Sequence, residues 1–157
     1  VLDADALNCI SIRPALLTYV PAKTILTPHV GEFDRMFGEH HNDESRLRTA
    51  IEMARQYNII IVLKGHYTAV VRPTGRVYIN TTGNPGMATA GAGDVLTGII
   101  TSFLSQGYEP GYAATLGVYV HGRAGDMAET ELGQYGMTAS DIIDKVGPAI
   151  QDILKNS

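Results

Sequence analysis

The stretch that most constrains this chain is residues 83–96, Gly-Asn-Pro-Gly-Met-Ala-Thr-Ala-Gly-Ala-Gly-Asp-Val-Leu. Gly83, Gly86, Gly91 and Gly93 fall within eleven residues, immediately before a helical stripe of Val95, Leu96, Ile99, Ile100, Phe103 and Leu104. Glycine lets backbone N–H groups approach a ligand without a Cβ in the way. The free N–H groups of a helix N-terminus, with the helix dipole behind them, favour an anion. Gly91, Ala92 and Gly93 are therefore a candidate anion hole for a phosphate in transfer. Asp94, in the first turn, is placed to take a proton from an attacking hydroxyl. The same residues also fit a tight turn with Asp94 as a helix cap. The glycine spacing is neither a Walker A loop nor a dinucleotide fingerprint.

The rest of the chain supplies an α/β frame for this loop. Residues 1–5 start apolar and end acidic, as a buried parallel strand does where it reaches a site. Residues 12–19 read as a short helix stopped by Pro21, and residues 24–26 as a second strand. Thr27-Pro28 offers a helix start, Gly38 its end, and residues 40–43 a loop with His40 and His41 solvated. Residues 44–57 have strong helical periodicity. Residues 59–63 are β-branched and apolar, suiting a strand buried on both faces, and Lys64-Gly65 closes it. Residues 68–72 and 76–79 form a hairpin turned by Pro73-Thr74-Gly75. After the loop at 80–90 come three helices: one from Ala92, one over about 109–127, and a last one. That last helix is capped by Thr138 with Asp141 and kinked at Pro148. The order predicts an open sheet packed between helices.

Composition narrows the function. The 157 residues suit one domain, and 12 basic against 16 acidic residues give a net charge of −4, which argues against an electrostatic nucleic-acid binder. The lone Cys9 excludes an internal disulfide and is expected to be a small packed residue. Residues 59–63 are the longest aliphatic run, far short of a membrane span. With acids where a signal peptide has basic residues, the expectation is a soluble, cytoplasmic protein with no membrane partner. Glycine is the outlier, 17 of 157.

Several motifs occur in a fixed order: Asp3-Ala4-Asp5-Ala6-Leu7-Asn8, Leu26-Thr27-Pro28-His29, Gly31-Glu32-Phe33, Leu63-Lys64-Gly65, the 83–96 loop, and His121-Gly122 with Ala124-Gly125-Asp126. Together they resemble the ADP-dependent NAD(P)H-hydrate dehydratases, the carbohydrate-kinase-like YjeF C-terminal domain of the ribokinase-like superfamily. The resemblance implies an α/β fold with an open, mostly parallel sheet flanked by helices. It implies a lyase that uses ADP, or ATP, with Mg²⁺ to return (6S)-NAD(P)H hydrate to NAD(P)H. The 6-hydroxyl is phosphorylated and phosphate, a better leaving group than hydroxide, departs. It makes Asp94 the base and a contact to the hydrate, and Gly93 a contact to the nucleotide phosphates. Lys64, Gly65, His66, Tyr67 and Thr68 match the nucleotide-binding segment, and His29, with Glu32 one turn on, a hydrate contact. It provides no protein metal ligand, and implies a homo-oligomer and a fused or separate NAD(P)H-hydrate epimerase. A small departure is Ala90-Gly91-Ala92-Gly93, where many members have Gly-Gly-Thr-Gly.

Each residue also has a structural role open to it. Lys64 fits a solvated strand end, His29 a local helix-start bond, and His66 a loop whose backbone matters. His121 and Asp126 fit a buried helix. Asp3 and Asp5 fit either a site or a cap. Members of the family carry a long segment before the strand at 1–5, so residues 1–157 are expected to be the C-terminal part of one ribokinase-like domain. Without its neighbouring strands such a piece is expected to self-associate or to be inactive. The rival readings are a ribokinase-like sugar or hydroxyethylthiazole kinase and a non-catalytic nucleotide-binding fragment.

Overall fold

The computed structural model describes residues 1–155. Four strands, β1 (Ile25–Leu26), β2 (Ile60–Leu63), β3 (Ala69–Val71) and β4 (Val77–Ile79), form one sheet in that order. β1 and β2 are parallel, with Ile25 opposite Ile60. β2, β3 and β4 are antiparallel neighbours, as the hairpin pattern predicts. Within this chain the sheet is thus mixed rather than mostly parallel, because the hairpin contributes two of its three strand pairs.

Every residue of β2 is buried, and its alternation builds the layers. Ile61 and Leu63 share one core with Leu26, Phe33, Ala50 and Ala54, under α1 (Asp5–Ile12), α2 (Val30–Phe37) and α3 (Asp43–Tyr57). Ile60 and Val62 face the other way, onto Leu96 and Ile100 of α4 (Ala92–Ser105) and Ala114 and Val118 of α5 (Pro110–Gly136). The outer sides of α4 and α5 are covered by α6 (Ala139–Lys155), where Ile142 and Ala149 meet Phe103, Val120 and Ala124. None of these helices is long and apolar enough to cross a membrane.

Several local expectations are corrected. Residues 1–5 are not a full strand. Leu2 alone pairs, donating to Ile25 and accepting from Thr27, and the chain then turns at Ala4, whose φ is 48°. At this turn the Asp3 carboxylate accepts the Ala4 N–H at 2.9 Å, and α1 starts after Ala4 with no side-chain cap. Residues 12–19 are not one helix: α1 ends at Ile12, and Pro14 opens a short 3₁₀ helix, Pro14–Tyr19. α5 runs past residue 127 to Gly136, interrupted only by positive φ at Gly133. Cys9 is exposed rather than packed.

His40 is not solvated. Its ring touches Asp34 Oδ1 and Thr49 Oγ1, each at 2.9 Å, and packs on Phe33. Arg46, only 8% exposed, donates to both oxygens of Asp34, at 3.0 and 2.9 Å. This network ties α2 to α3, and the Arg46 hydrogen bond holds the Asp34 carboxyl below its usual range. Replacing Asp34 by Asn leaves the largely buried Arg46 with only the exposed Asp43 as an ionic partner among the described residues and should cost about 1–3 kcal/mol at neutral pH. A carboxyl whose folded value is lowered stabilises the fold above its ordinary value of 3.8 and loses that contribution as pH falls through the lowered one. Urea unfolding of wild type and Asp34→Asn should therefore diverge at pH 7 and converge in strong acid.

Candidate active site

The carboxyl ends of β1 and β2 point to the same edge of the sheet, where parallel strands of open α/β folds present ligands. Beyond those ends His29 and Lys64 lie side by side in a parallel bridge, and Lys64 N donates to the Pro28 carbonyl at 2.8 Å. His29 then caps α2. Its Nδ1 accepts from Gly31 N and Glu32 N at 3.0 and 3.2 Å, and Glu32 Oε2 accepts from His29 N at 2.8 Å. The local role is thus filled, and the half-exposed ring also lines the cavity described below.

Lys64 reaches under α4. Its Nζ lies 3.1 Å from Asp3 Oδ1 and 4.0 Å from Glu32 Oε2. Asp3 Oδ2 accepts from Thr97 Oγ1 at 2.8 Å, so the carboxylate bridges a lysine and the second turn of α4. A Cβ built on Gly93 would come within 3.4 Å of Lys64 Nζ. The helix start and the cation are therefore in direct apposition. The structure also separates the two acids: Asp3 meets Lys64 and Thr97, while Asp5 is exposed on α1 and accepts from Asn8.

Gly91 is the N-cap of α4, at φ 87°, a left-handed conformation natural to glycine, and it offers no side-chain cap. The first-turn N–H groups of a helix have no intrahelical acceptor. Ala92 N donates to the Thr89 carbonyl at 3.3 Å, which leaves Gly93 and Asp94 as the turn's free donors. Between Gly93, the end of β2 and the glycine-rich loop lies a cavity of about 680 Å³. Lys64, Gly65, His66 and Thr68 line one wall, and Gly83, Asn84 and Gly93 line the other. Tyr67 stands outside it, exposed, with its ring edge-on to His66 at 4.4 Å.

The predicted set is not all in one hollow. Gly91 and Asp94 line a second groove of about 730 Å³ on the far side of the α4 N-terminus, walled by α6 residues Ala139, Ile143 and Ile150. Asp94 is exposed and carries no hydrogen bond or ion pair among the described residues. The first turn of α4 thus presents backbone donors to one hollow and a free carboxylate to the other.

A family model described as NAD(P)H-hydrate dehydratase matches residues 1–148. The chain belongs to the NAD(P)H-hydrate dehydratase family. It is 49% identical over 146 residues to a bifunctional NAD(P)H-hydrate repair enzyme of Moorella thermoacetica, covering 92% of this chain and 28% of that one. An ADP/ATP-dependent NAD(P)H-hydrate dehydratase from Bacillus subtilis, crystallised with ATP/Mg²⁺, superposes with a TM-score of 0.77. The identity is 36%, over 83% of this chain and 48% of that one. A ribokinase-like superfamily protein from Enterococcus faecalis gives a TM-score of 0.81 and 32% identity, over 96% and 51%. The dehydratase-family chain is therefore ribokinase-like in fold and spans between a quarter and about half of the length of these relatives.

Two contributors to this dehydratase-family site are not marked as site residues by the sequence. Thr97 shows no motif, since its partner Asp3 is 94 positions away. His121 of α5, expected only to support a helix, also lines the cavity. Burial pushes its ring down to about 4, against a hydrogen bond to the Ala92 backbone and with Lys64 adding to the depression. Its Nε2 is buried without a partner. The ring is thus neutral at pH 7. A histidine depressed in the folded state binds its proton more readily when unfolded, so its neutral form stabilises the fold above pH 6.5 and that contribution is lost as pH falls toward 4. The loss should be at most about 3 kcal/mol. His121→Gln, which keeps a donor to Ala92, should flatten the stability profile between pH 7 and 4 in denaturant titrations.

Proposed function

We propose that this chain carries the nucleotide site and the reacting carboxylate of an enzyme that dehydrates (6S)-NAD(P)H hydrate at the expense of ADP or ATP. The observation that carries this reading is the apposition of Lys64 Nζ to Gly93, at an N-terminus of α4 whose donors open into the cavity beside the Lys64–Thr68 segment. A cation, free N–H groups and a helix dipole facing one space fit a nucleotide phosphate. Among the described residues no group of three or more His, Cys, Asp and Glu side chains could hold a metal. The residues therefore fit Mg²⁺ carried mainly by phosphate oxygens rather than in a protein cage, and Mg²⁺ bound there would neutralise charge on those oxygens.

In this reading Gly93, Lys64 and Thr68 hold the phosphates, and Ala92 with Gly91 shapes the turn that aims the donors. Gly65, His66 and Tyr67 complete the nucleotide segment, mainly through its backbone. His29, on the edge of the Lys64 cavity, and Glu32 border a hydrate that reaches across the start of α4 to Asp94. Asp94 takes the proton of the 6-hydroxyl as that oxygen bonds to phosphorus and the phosphorus–nucleotide bond breaks. The phosphate then leaves carbon 6 as the ring loses a proton from carbon 5 and regains its double bond. The cytoplasmic setting, a homo-oligomer and a companion epimerase activity belong to the same reading. Membership of the dehydratase family supports it over a sugar or thiazole-alcohol kinase.

The test is incubation with NADH hydrate, ADP or ATP and Mg²⁺, following the return of reduced-nicotinamide absorbance. Asp94→Asn should lower kcat by about 10²–10⁴-fold while ADP binding persists. Lys64→Ala should weaken ADP binding roughly tenfold, as loss of a charge-assisted contact does. No return of absorbance, with phosphorylation of a sugar or thiazole alcohol instead, overturns the proposal.

A further inference from the structure

The His121–Asp126 segment of α5 faces the glycine-rich loop along its whole course. Residues 121, 122, 125 and 126 share one side of the helix, since positions four apart stack one turn above another. Asp126 Oδ2 accepts from Gly83 N at 3.0 Å, and its Oδ1 accepts from Asn84 Nδ2 at 3.1 Å. Asn84 passes this on, its Oδ1 accepting from Gly86 N at 3.1 Å to open the short 3₁₀ turn Pro85–Met87. Gly122 and Gly125 let the loop lie directly on the helix. A Cβ on Gly122 would come within 2.7 Å of the Thr82 carbonyl, and one on Gly125 within 2.7 Å of Met87 Cγ. One turn back, His121 lines the same cavity as Ala92 and Gly93 at the other end of the loop.

We propose that this face of α5 is a clamp that presets the glycine-rich loop before any ligand arrives, with Asp126 as a positioning residue acting through Gly83 and Asn84. The consequence for nucleotide binding rests on the function proposed above. A loop with four glycines has many conformations to lose, and a loop that must order on binding gives up affinity for doing so. Gly83 and Asn84 line the cavity at one end of the loop and Gly93 at the other, so holding the Gly83–Asn84 end fixes one wall of the opening opposite Gly93. Asp126 touches no ligand in this scheme.

The hydrogen-bond pattern supplies its own test. In Asp126→Asn the introduced amide sets a donor against the Asn84 Nδ2 donor, so one bond is lost or Asn84 must release Gly86. The exchange Asn84→Asp with Asp126→Asn restores every donor–acceptor pair. The amide then at position 126 accepts from Gly83 and donates to the carboxylate then at position 84, which still accepts from Gly86. Hydrogen exchange of the protein without nucleotide should show the amides of residues 83–93 exchanging about tenfold faster in Asp126→Asn, with β2 unchanged. The paired exchange should return them to within about threefold of wild type, and ADP binding should weaken and recover in parallel. Asn84→Ala, which leaves the helix intact, should reproduce the loosening at residues 83–87. Unchanged exchange in Asp126→Asn, a paired variant no better than the single one, or a rise spread evenly over β2 and α3 overturns the clamp. If wild type shows a protected loop but binds no ADP, the nucleotide reading falls and the exchange results alone decide the clamp.

Discussion

Lys64 is the point at which three distant parts of the chain are tied together. Its backbone extends β2 beside the end of β1, its ammonium meets Asp3 from the first residues, and it lies under Gly93 at the start of α4. Asp3 completes the junction by accepting from Thr97 on the same helix. The lysine, 21% exposed, is hydrogen-bonded to Asp3 at 3.1 Å and lies 4.0 Å from Glu32, which fixes its ammonium near the helix N-terminus. The helix end alone would attract an anion weakly, because its dipole is screened within a turn. The fixed cation beside it is what suits the pair to a phosphate in physical terms.

The α4 N-terminus divides its surroundings. On one side its donors open into the cavity beside Lys64, and on the other Asp94 stands free in a groove walled by α6. Donors that suit a phosphate and a carboxylate that suits a proton thus flank the same helical turn. Both groups are carried by a helix whose apolar side is fully engaged with β2 and α5. The first turn of α4 therefore rests on a packed helix, while the glycine-rich segment meets α5 through Asp126 and two close-packed glycines.

Much of the frame was legible in the residues. The buried β2, the hairpin, α3, and the start of α4 at Ala92 all follow from hydrophobic period and turn chemistry. Two of the misread parts share one cause. Residues 1–5 read as a strand by pattern, but the chain turns at Ala4, where the Asp3 carboxylate accepts the backbone N–H. His40 read as solvated because polar neighbours surround it in sequence, whereas Asp34 and Thr49 enclose it in space. In each case a side-chain contact overrode a local preference.

Residue pattern was enough for the layers, for the glycine-rich loop ahead of α4, and for the identity of the groups able to meet a phosphate or take a proton. These depend on period, spacing and side-chain type, which are local. Folding in three dimensions settled the rest. It joined Asp3 rather than Asp5 to Lys64, secured that carboxylate with Thr97, made His121 neutral, and turned Asp94 away from the Lys64 cavity. Those outcomes depend on partners up to 94 positions apart. They also depend on burial, which changes a group's charge only once the chain has closed around it.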